Sequence, residues 1–306
     1  MDSIDISVIL VNYNTKNLTV NAINSVFEQT KNISFEIIVV DNNSTDGSVE
    51  EFQKLFRDKI TILKSENLGY GHGNNMGIKQ ASGKYVFLLN TDALLLNNVM
   101  KILFDYIETN PKCGACSPNI YDINGKFTHS KGIFLKNNFS ALYNLVFHHI
   151  YHKLKFLHHV FSKKPSKAQW SSFCAILMRK DAVENAGYFD EDFFLYCEDE
   201  ELSFRMVSNG YDFYVVPEAK VRHLEGGSFD CGIQKKEKRL RLMTYSKFIL
   251  FEKEYGKNAP QKHYEERLRF FSLINFLSLG FLSNRCKNRK RILIEEYERY
   301  KKLKPS

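Results

Sequence analysis

Val86-Phe87-Leu88-Leu89 runs straight into Asn90-Thr91-Asp92, so an apolar run that reads as a strand delivers a carboxylate to its own end. Two earlier runs finish the same way. Residues 6–11 lead into Asn12-Tyr13-Asn14, and residues 36–40 lead into Asp41-Asn42-Asn43. In an open parallel sheet, ligands bind in the crevice outside the carboxyl ends of the strands, so the three clusters share one edge. Asn, Asp and Thr on such an edge suit ribose hydroxyls, a base edge and a divalent metal holding a diphosphate. A hard cation wants oxygen ligands and commonly takes one or two carboxylates plus substrate phosphates. Asp92 is therefore the candidate metal ligand, against the plainer use of a strand-end carboxylate as a helix N-cap. The chain is expected to handle a nucleotide.

A second acidic group, Glu198-Asp199-Glu200-Glu201, follows Phe193-Phe194-Leu195-Tyr196 and opens a predicted helix. Acids favour the first helical turn because of the macrodipole, which accounts for some of the four. A carboxylate walled by aromatics can have a raised pKa and act as a general base. Asp199 is the first candidate and Glu198 the second. His223 follows a predicted strand, where a neutral imidazole could complete a metal shell, although lone histidines are more often surface or core residues.

The stretch 66–77 carries Gly69, Gly71, Gly73 and Gly77 and invites a dinucleotide reading. It fails on register, because the G-x-G-x-x-G fingerprint belongs after the first strand and neither glycine pair here finds its third glycine. No G-x-x-x-x-G-K-[ST] phosphate loop occurs. These glycines instead let backbone approach a base or sugar closely. Cys113-Gly114-Ala115-Cys116 lacks the second pair or spaced histidines of a zinc site, and both cysteines are expected as small apolar groups in a buried strand.

The elements that must position these residues alternate through the first 110 positions. Helices are expected over 17–29, 48–56, 71–81 and 97–108, with a short strand over 60–64. That alternation argues for a doubly wound parallel sheet. Asn124-Gly125 suggests a hairpin turn. Residues 138–164 read as a basic, aromatic loop or amphipathic helix. A strand-like run over 170–178 opens with Trp170, a short helix spans 181–186, and a strand spans 211–216. From Lys235 onward the chain reads as helical and basic, with an apolar stripe of Leu242, Tyr245, Phe248, Ile249 and Phe251.

The 306 residues suffice for one large domain plus an appendage, and we expect residues 1–230 as the sheet domain and 231–306 as a helical extension. The net charge of +8 gathers after Lys235 and around 148–167. A solvated surface is its plain reading. No nucleic-acid motif accompanies it, so anionic lipid is the better functional partner than nucleic acid. Six cysteines read as reduced fit the cytosol. The N-terminus shows no secretory pattern, and no stretch reaches the roughly 18 apolar residues of a spanning helix.

Five stretches, in order over about residues 5–230, together resemble glycosyltransferase family 2, inverting sugar transferases of the GT-A fold. They are Val8-Ile9-Leu10-Val11-Asn12-Tyr13-Asn14, Val39-Val40-Asp41-Asn42-Asn43-Ser44-Thr45-Asp46-Gly47, Asn67-Leu68-Gly69 through Asn74-Asn75-Met76-Gly77, Leu88-Leu89-Asn90-Thr91-Asp92, and Gly187-Tyr188-Phe189-Asp190-Glu191 through Glu198-Asp199. Within the family they are most similar to the rhamnosyltransferase-like bacterial branch that builds surface polysaccharides. The resemblance implies an α/β, GT-A-type, mostly parallel sheet flanked by helices. It implies that Asp41 binds the nucleobase or ribose and that Asn67 and Asn74 line the donor pocket, which Asn12, Tyr13, Asn14, Asn43, Gly69, Asn90 and Thr91 complete. Asp92 would hold Mg²⁺ or Mn²⁺ with His223 beside it, and Asp199 would be the catalytic base. Trp170 and Glu198 are the acceptor-side candidates.

Two departures stand out. The metal tripeptide begins with Asn90 rather than Asp, and Ser172-Phe173-Cys174-Ala175 stands where relatives often carry a glycine-containing acceptor loop. The implied donor is dTDP-rhamnose or a UDP-hexose. The implied acceptor is a saccharide hydroxyl, often lipid-linked, met in the cytoplasm or on the inner face of the plasma membrane. A sugar nucleotidyltransferase and a non-catalytic nucleotide-sugar or polysaccharide-binding homologue are the rival readings.

Overall fold

β1 (Ile6–Asn12) and β2 (Phe35–Asp41) are apolar almost throughout and buried, as strands covered on both faces must be. They pair in parallel with Asn12 opposite Asp41, which sets two of the polar clusters side by side. The computed structural model describes residues 3–128, 131–132, 134, 164–224, 233–277 and 284–304. Helix α1 (Lys16–Gln29) crosses from β1 to β2, and α2 (Ser48–Phe56) leads to β3 (Thr61–Lys64). Helix α3 (Tyr70–Gln80) then returns the chain to β4 (Tyr85–Leu89), which pairs in parallel with β1.

The order β3-β2-β1-β4 is the expected parallel, doubly wound half. Beyond β4 the sheet becomes mixed. β5 (Ala93–Leu95) and α4 (Val99–Thr109) precede the long β6 (Cys113–Tyr121), in which Cys113 and Cys116 are buried as expected. β7 (Phe127–Thr128) folds back on β6 around Gly125, the expected hairpin. β8 (Lys131–Gly132) pairs with β10 (Trp170–Ser171) in a separate two-stranded sheet, and β9 (Ser166–Ala168) lies beside β12 (Asp212–His223). β11 (Ala175–Arg179) runs antiparallel between β4 and β6, and the main path reads β3-β2-β1-β4-β11-β6-β12-β5.

Side chains alternate across this sheet. Ile6, Val8 and Leu10 face one core with residues of α1, α2 and α4. Ile9, Ile38, Val86 and Leu88 face the other, with Ile78 of α3, Ala182 and Val183 of α5 (Lys180–Ala186), and Leu202 and Met206 of α6 (Glu198–Ser208). Two strand boundaries differ from the sequence reading. The run expected over 170–178 is broken at Ser172-Phe173-Cys174, where the Cys174 carbonyl accepts the Asn90 N–H and the chain turns toward the site. The strand expected to stop at Val216 continues to His223. Pro217 cannot join the ladder, so β12 passes it through a register shift between Val216 and Lys220 and then resumes pairing.

The described chain divides into two compact units. The first is the sheet with helices α1–α6. The second comprises the C-terminal helices α7 (Ile233–Tyr255), α8 (Ala259–Leu277) and α9 (Asn284–Leu303), together with Asp192–Cys197. Phe193, Phe248, Ile249, Leu250, Phe271 and Tyr297 form its core. Arg241 of α7 ties Glu237 of its own helix to Glu295 and Glu296 of α9. Asp192 accepts Lys253 and Lys304 at 2.9 and 2.8 Å, and those two ammonium groups hold its carboxyl below the usual range. The buried His263 ring stacks on Phe251 at 4.2 Å, and burial pushes its pKa down to about 3, so it is neutral. Of the apolar stripe foreseen on α7, Phe248, Ile249 and Phe251 are buried inside this unit, while Tyr245 and Leu242 are half-buried. The basic, aromatic segment foreseen over 138–164 lies, apart from Lys164, outside the described residues.

α3 lies on β1 because it is glycine-faced. A Cβ at Gly77 would stand 2.5 Å from Ile9 Cγ2, and one at Gly73 would stand 2.8 Å from Val11 Cγ1. Gly77→Ala is expected to lower stability by about 1–3 kcal/mol through overpacking, read as an earlier midpoint in urea unfolding of the full chain. An unchanged midpoint would show that α3 can lift off the sheet without loss.

Candidate functional site

The site begins where β1 and β2 end together. Asn12, fully buried, donates through Nδ2 to Asp41 Oδ2 at 2.7 Å and to Ser44 Oγ at 2.9 Å. Its Oδ1 accepts the Thr15 and Thr19 hydroxyls, each at 2.8 Å. Asp41 Oδ1 accepts the Ser44 N–H at 2.9 Å. Both groups are therefore engaged internally: Asn12 braces Asp41 and fixes the edge its carboxylate presents. The Thr15 hydroxyl lies 3.1 Å from that of Thr91, linking this network to the Asn90-Thr91-Asp92 turn. Tyr13 is 50% exposed beside it, Asn14 Oδ1 accepts the Thr45 N–H at 2.8 Å, and Asn43 is exposed with a left-handed backbone.

α3 supplies the next wall. Asn67 lies in the loop before it, and Gly69 takes φ 118°, a conformation glycine tolerates. The Gly69 carbonyl accepts Asn42 Nδ2 at 3.2 Å, while Asn42 Oδ1 is buried with no hydrogen-bond partner. Asn74 is buried and spends its Nδ2 on the Tyr70 carbonyl of its own helix. The Tyr70 hydroxyl lies 2.9 Å from Asn90 Oδ1 and 3.2 Å from the Phe173 carbonyl. Further along, Asn75 holds both backbone groups of Phe189, accepting its N–H at 2.9 Å and donating to its carbonyl at 3.0 Å. Asn75 also donates to Glu191, which meets His72 Nδ1 at 3.0 Å.

Asp92 is 4% exposed and meets His223 Nε2 through Oδ1 at 3.0 Å. The pair follows from topology. β5 begins one residue after Asp92 and lies antiparallel to the end of β12, with Ala93 opposite His223. The Leu224 N–H donates back to the Asp92 carbonyl at 2.9 Å and closes the turn. Among the described residues no group of three or more His, Cys, Asp or Glu side chains is placed to hold a metal.

The acidic run sorts itself on α6. Glu201 forms a 2.6 Å ion pair with Arg205, whose guanidinium also holds the Ala186 and Tyr188 carbonyls. Asp199 is partly exposed, and its Oδ1 accepts the Glu200 N–H at 2.8 Å. Glu198 is buried, and burial followed by the Asp199 charge raises its pKa. The Cys174 thiol registers both ends of the site. Burial first, and then the charges of Asp92 and Asp199, push it up to about 12. Burial and then Glu198 raise the Tyr70 phenol as well, with Asp199 adding to it. Asp92, Cys174, Tyr70, Glu198 and Asp199 thus share one electrostatic environment. Trp170 is partly exposed on β10, packed over Gly132, with its Nε1 buried and without a partner.

Sequence reasoning passed over Ser44, Thr15 and Thr19, whose hydroxyls hold Asn12 and Asp41, and over the unmatched oxygen of Asn42. It also missed Tyr70, although an aromatic hydroxyl inside a glycine-rich loop at a strand edge was a usable signal.

Comparison with known proteins bears on the family and the fold. GgaB, a minor teichoic acid biosynthesis protein of Bacillus subtilis, is 27% identical over 273 residues, covering 84% of this chain and 27% of its own. The N-acetylglucosaminyl-diphospho-decaprenol L-rhamnosyltransferase of Mycobacterium tuberculosis is 24% identical over 201 residues, 61% of this chain and 66% of its own. The chain spans between 15% and 35% of the length of several curated relatives, GgaB among them. Among solved structures, GalNAc-T7 with UDP, GalNAc and Mn²⁺ superposes at a TM-score of 0.56 with 16% identity, covering 78% of this chain and 48% of its own, which shows a shared GT-A fold. The sequence model of glycosyl transferase family 2 matches residues 7–184, more than half of the chain, and the chain belongs to that family.

Proposed function

We propose that the chain transfers a sugar from a nucleoside-diphosphate sugar to a hydroxyl of a saccharide acceptor, with inversion at the anomeric carbon, in the making of a cell-surface polysaccharide. The observation that carries this reading is the meeting of two strand-end carboxylates at one sheet edge: Asn12, opposite Asp41 in the β1–β2 pairing, holds that carboxylate, and the Thr15 hydroxyl links the pair to the Asn90-Thr91-Asp92 turn. A carboxylate suited to a ribose or base edge thus stands near one suited to a diphosphate-bound cation.

Asp41, held in orientation by Asn12 and Ser44, receives the ribose or base edge, with Tyr13, Asn14, Asn43, Asn67 and Gly69 around it. Asn90 and Thr91 face the diphosphate, and Asn74 acts by fixing the helix turn that carries Tyr70. The Asp92–His223 pair, one carboxylate oxygen and one imidazole nitrogen 3.0 Å apart, fits Mg²⁺ or Mn²⁺ that draws its remaining ligands from phosphate and water. Such an ion would neutralise charge developing on the departing diphosphate. Asp199 takes the proton of the acceptor hydroxyl as that oxygen attacks the anomeric carbon opposite the leaving group. Trp170 and Glu198 lie on the acceptor side. The name of the mycobacterial relative favours rhamnose as the sugar and a polyprenyl-diphosphate-linked acceptor; a UDP-hexose is the other donor to include.

The test is nucleoside diphosphate release from a panel of nucleotide sugars with Mn²⁺. We expect release from one donor. Asp92→Ala should remove its metal dependence, and Asp199→Asn should lower turnover by about 10²–10⁴-fold with calorimetric donor binding intact. Undiminished turnover in Asp199→Asn would end its role as base. Donor binding without any release would favour the binding-only reading.

No helix among the described residues is long and apolar enough to cross a membrane. With Phe248, Ile249 and Phe251 of the α7 stripe buried, we assign any membrane contact to the basic faces of the C-terminal helices, lying on anionic lipid. The full chain should then pellet with phosphatidylserine vesicles, stay in the supernatant with phosphatidylcholine alone, and be released by 1 M salt, where screening falls to about 3 Å. Equal pelleting with both vesicles would remove this reading.

A further inference from the structure

Of the four acids that open α6, Glu198 carries the unmatched oxygen. Its side chain is 6% exposed, and Oε2 is buried without a hydrogen-bond partner. Glu201 is consumed by Arg205, and Asp199 has the Glu200 N–H. An ionised carboxylate is strongly disfavoured in such a place. Protonated, the same group becomes an O–H donor in search of an acceptor oxygen. Among the described residues, the titratable groups that act on it or feel it bring no positive charge: Asp199 stands on the same helical turn, and Tyr70 on α3 feels both carboxyls, while Cys174 feels Asp199.

We propose that Glu198 is a neutral carboxylic acid that donates a hydrogen bond to an oxygen of the bound saccharide acceptor, leaving Asp199 ionised as the base. The saccharide half rests on the transferase reading; the proton does not. Asp199 is the next residue on the same turn and its charge reaches Glu198, so the buried, unmatched carboxyl is the one that keeps a proton. Burial and then the Asp199 charge push Glu198 up to about 8, the direction the geometry requires. The helix N-terminus and the residue's own N–H pull the other way, without offsetting the burial. One carboxyl then takes a proton from the acceptor while its neighbour gives a hydrogen bond to it.

Proton and saccharide contact are tested separately. Infrared difference spectra of the full chain alone, wild type against Glu198→Gln, should show the carbonyl band of a neutral carboxylic acid at pH 7, lost in the variant and titrating away above about pH 8. A spectrum without that band at pH 7 overturns the proposal whatever the enzyme transfers. With an N-acetylglucosaminyl-diphosphate lipid as acceptor probe, Glu198→Gln should raise the acceptor KM about three- to tenfold, because an amide N–H is the weaker donor, and change kcat less than about twofold. Glu198→Ala should raise KM further. The wild-type KM should climb above about pH 8 as the proton leaves, and that of Glu198→Gln should stay level. A kcat loss in Glu198→Gln matching that of Asp199→Asn would make Glu198 an ionised base and overturn the proposal, as would an unchanged KM in Glu198→Ala. Thermal melts of the variants separate misfolding from these outcomes. Wild type that never turns over with this probe counts against the transferase reading and its acceptor, while the infrared result still decides the proton.

Discussion

The close approach of α3 to the sheet is the constraint on which the site depends. A helix whose inner face carries hydrogen atoms at Gly73 and Gly77 can sit against Val11 and Ile9 nearer than side chains of any size would permit. Everything α3 touches is then within reach of one short helix. Its first residue meets Asn90 and Phe173, the carbonyl before it holds Asn42, and His72 and Asn75 fix Glu191 and Phe189. The Asp41 edge, the Asn90-Thr91-Asp92 turn and the loop carrying Phe189 and Glu191 are all referenced to the same rigid rod. Widening the helix–sheet distance would loosen all three together.

The second organising fact is where charge is matched and where it is left over. Glu201 with Arg205, Asp192 with two lysines, and the Arg241 network are satisfied pairs that hold elements in place. Among the described residues the Asp92 carboxylate is matched by an imidazole alone, and Glu198 Oε2 is unmatched. Buried polar groups are normally matched, so such atoms are where a ligand could supply a partner. Asn42 Oδ1, Trp170 Nε1 and Arg222 Nε are buried and unmatched too: the first borders the Asp41 edge, and the last lies next to His223.

Much of this was legible because apolar runs announce strands and their ends. Asp41 and Asp92 could be placed on one edge from Val39-Val40 and Leu88-Leu89 alone, and α2 falls at the expected residues 48–56. His223, set beside Asp92 by the family resemblance, is 131 residues away along the chain, and the β5–β12 pairing, carried past Pro217 by a register shift, brings the two together. What stayed hidden has physical reasons. Thr15 and Thr19 stand one helical turn apart, but a polar pair carries no apolar signal, and the Ser44 hydroxyl lies in a loop with no periodicity at all. The acidic run offered a partial clue, since Glu201 and Arg205 stand four apart and such pairs are readable on a helix. That clue removes one acid from contention; which of the others is buried depends on tertiary packing.

Charge counting also explains why an amide at position 90 suits this site. The Tyr70 hydroxyl has one proton and two neighbouring oxygens, Asn90 Oδ1 and the Phe173 carbonyl. The phenol donates to Asn90 Oδ1, the nearer of the two, and the amide also carries a nitrogen that can donate. An aspartate at 90 would accept from the phenol in the same way but could donate to nothing. It would also set a further negative charge in the environment that Asp92, Asp199 and Glu198 already occupy, where burial and carboxylates already raise Cys174 and Tyr70. One more carboxylate there would disfavour the ionised forms of Asp92 and Asp199, to which the proposed function gives the cation and the acceptor proton. The neutral amide keeps the hydrogen-bonding shape of the tripeptide and leaves those charges in place.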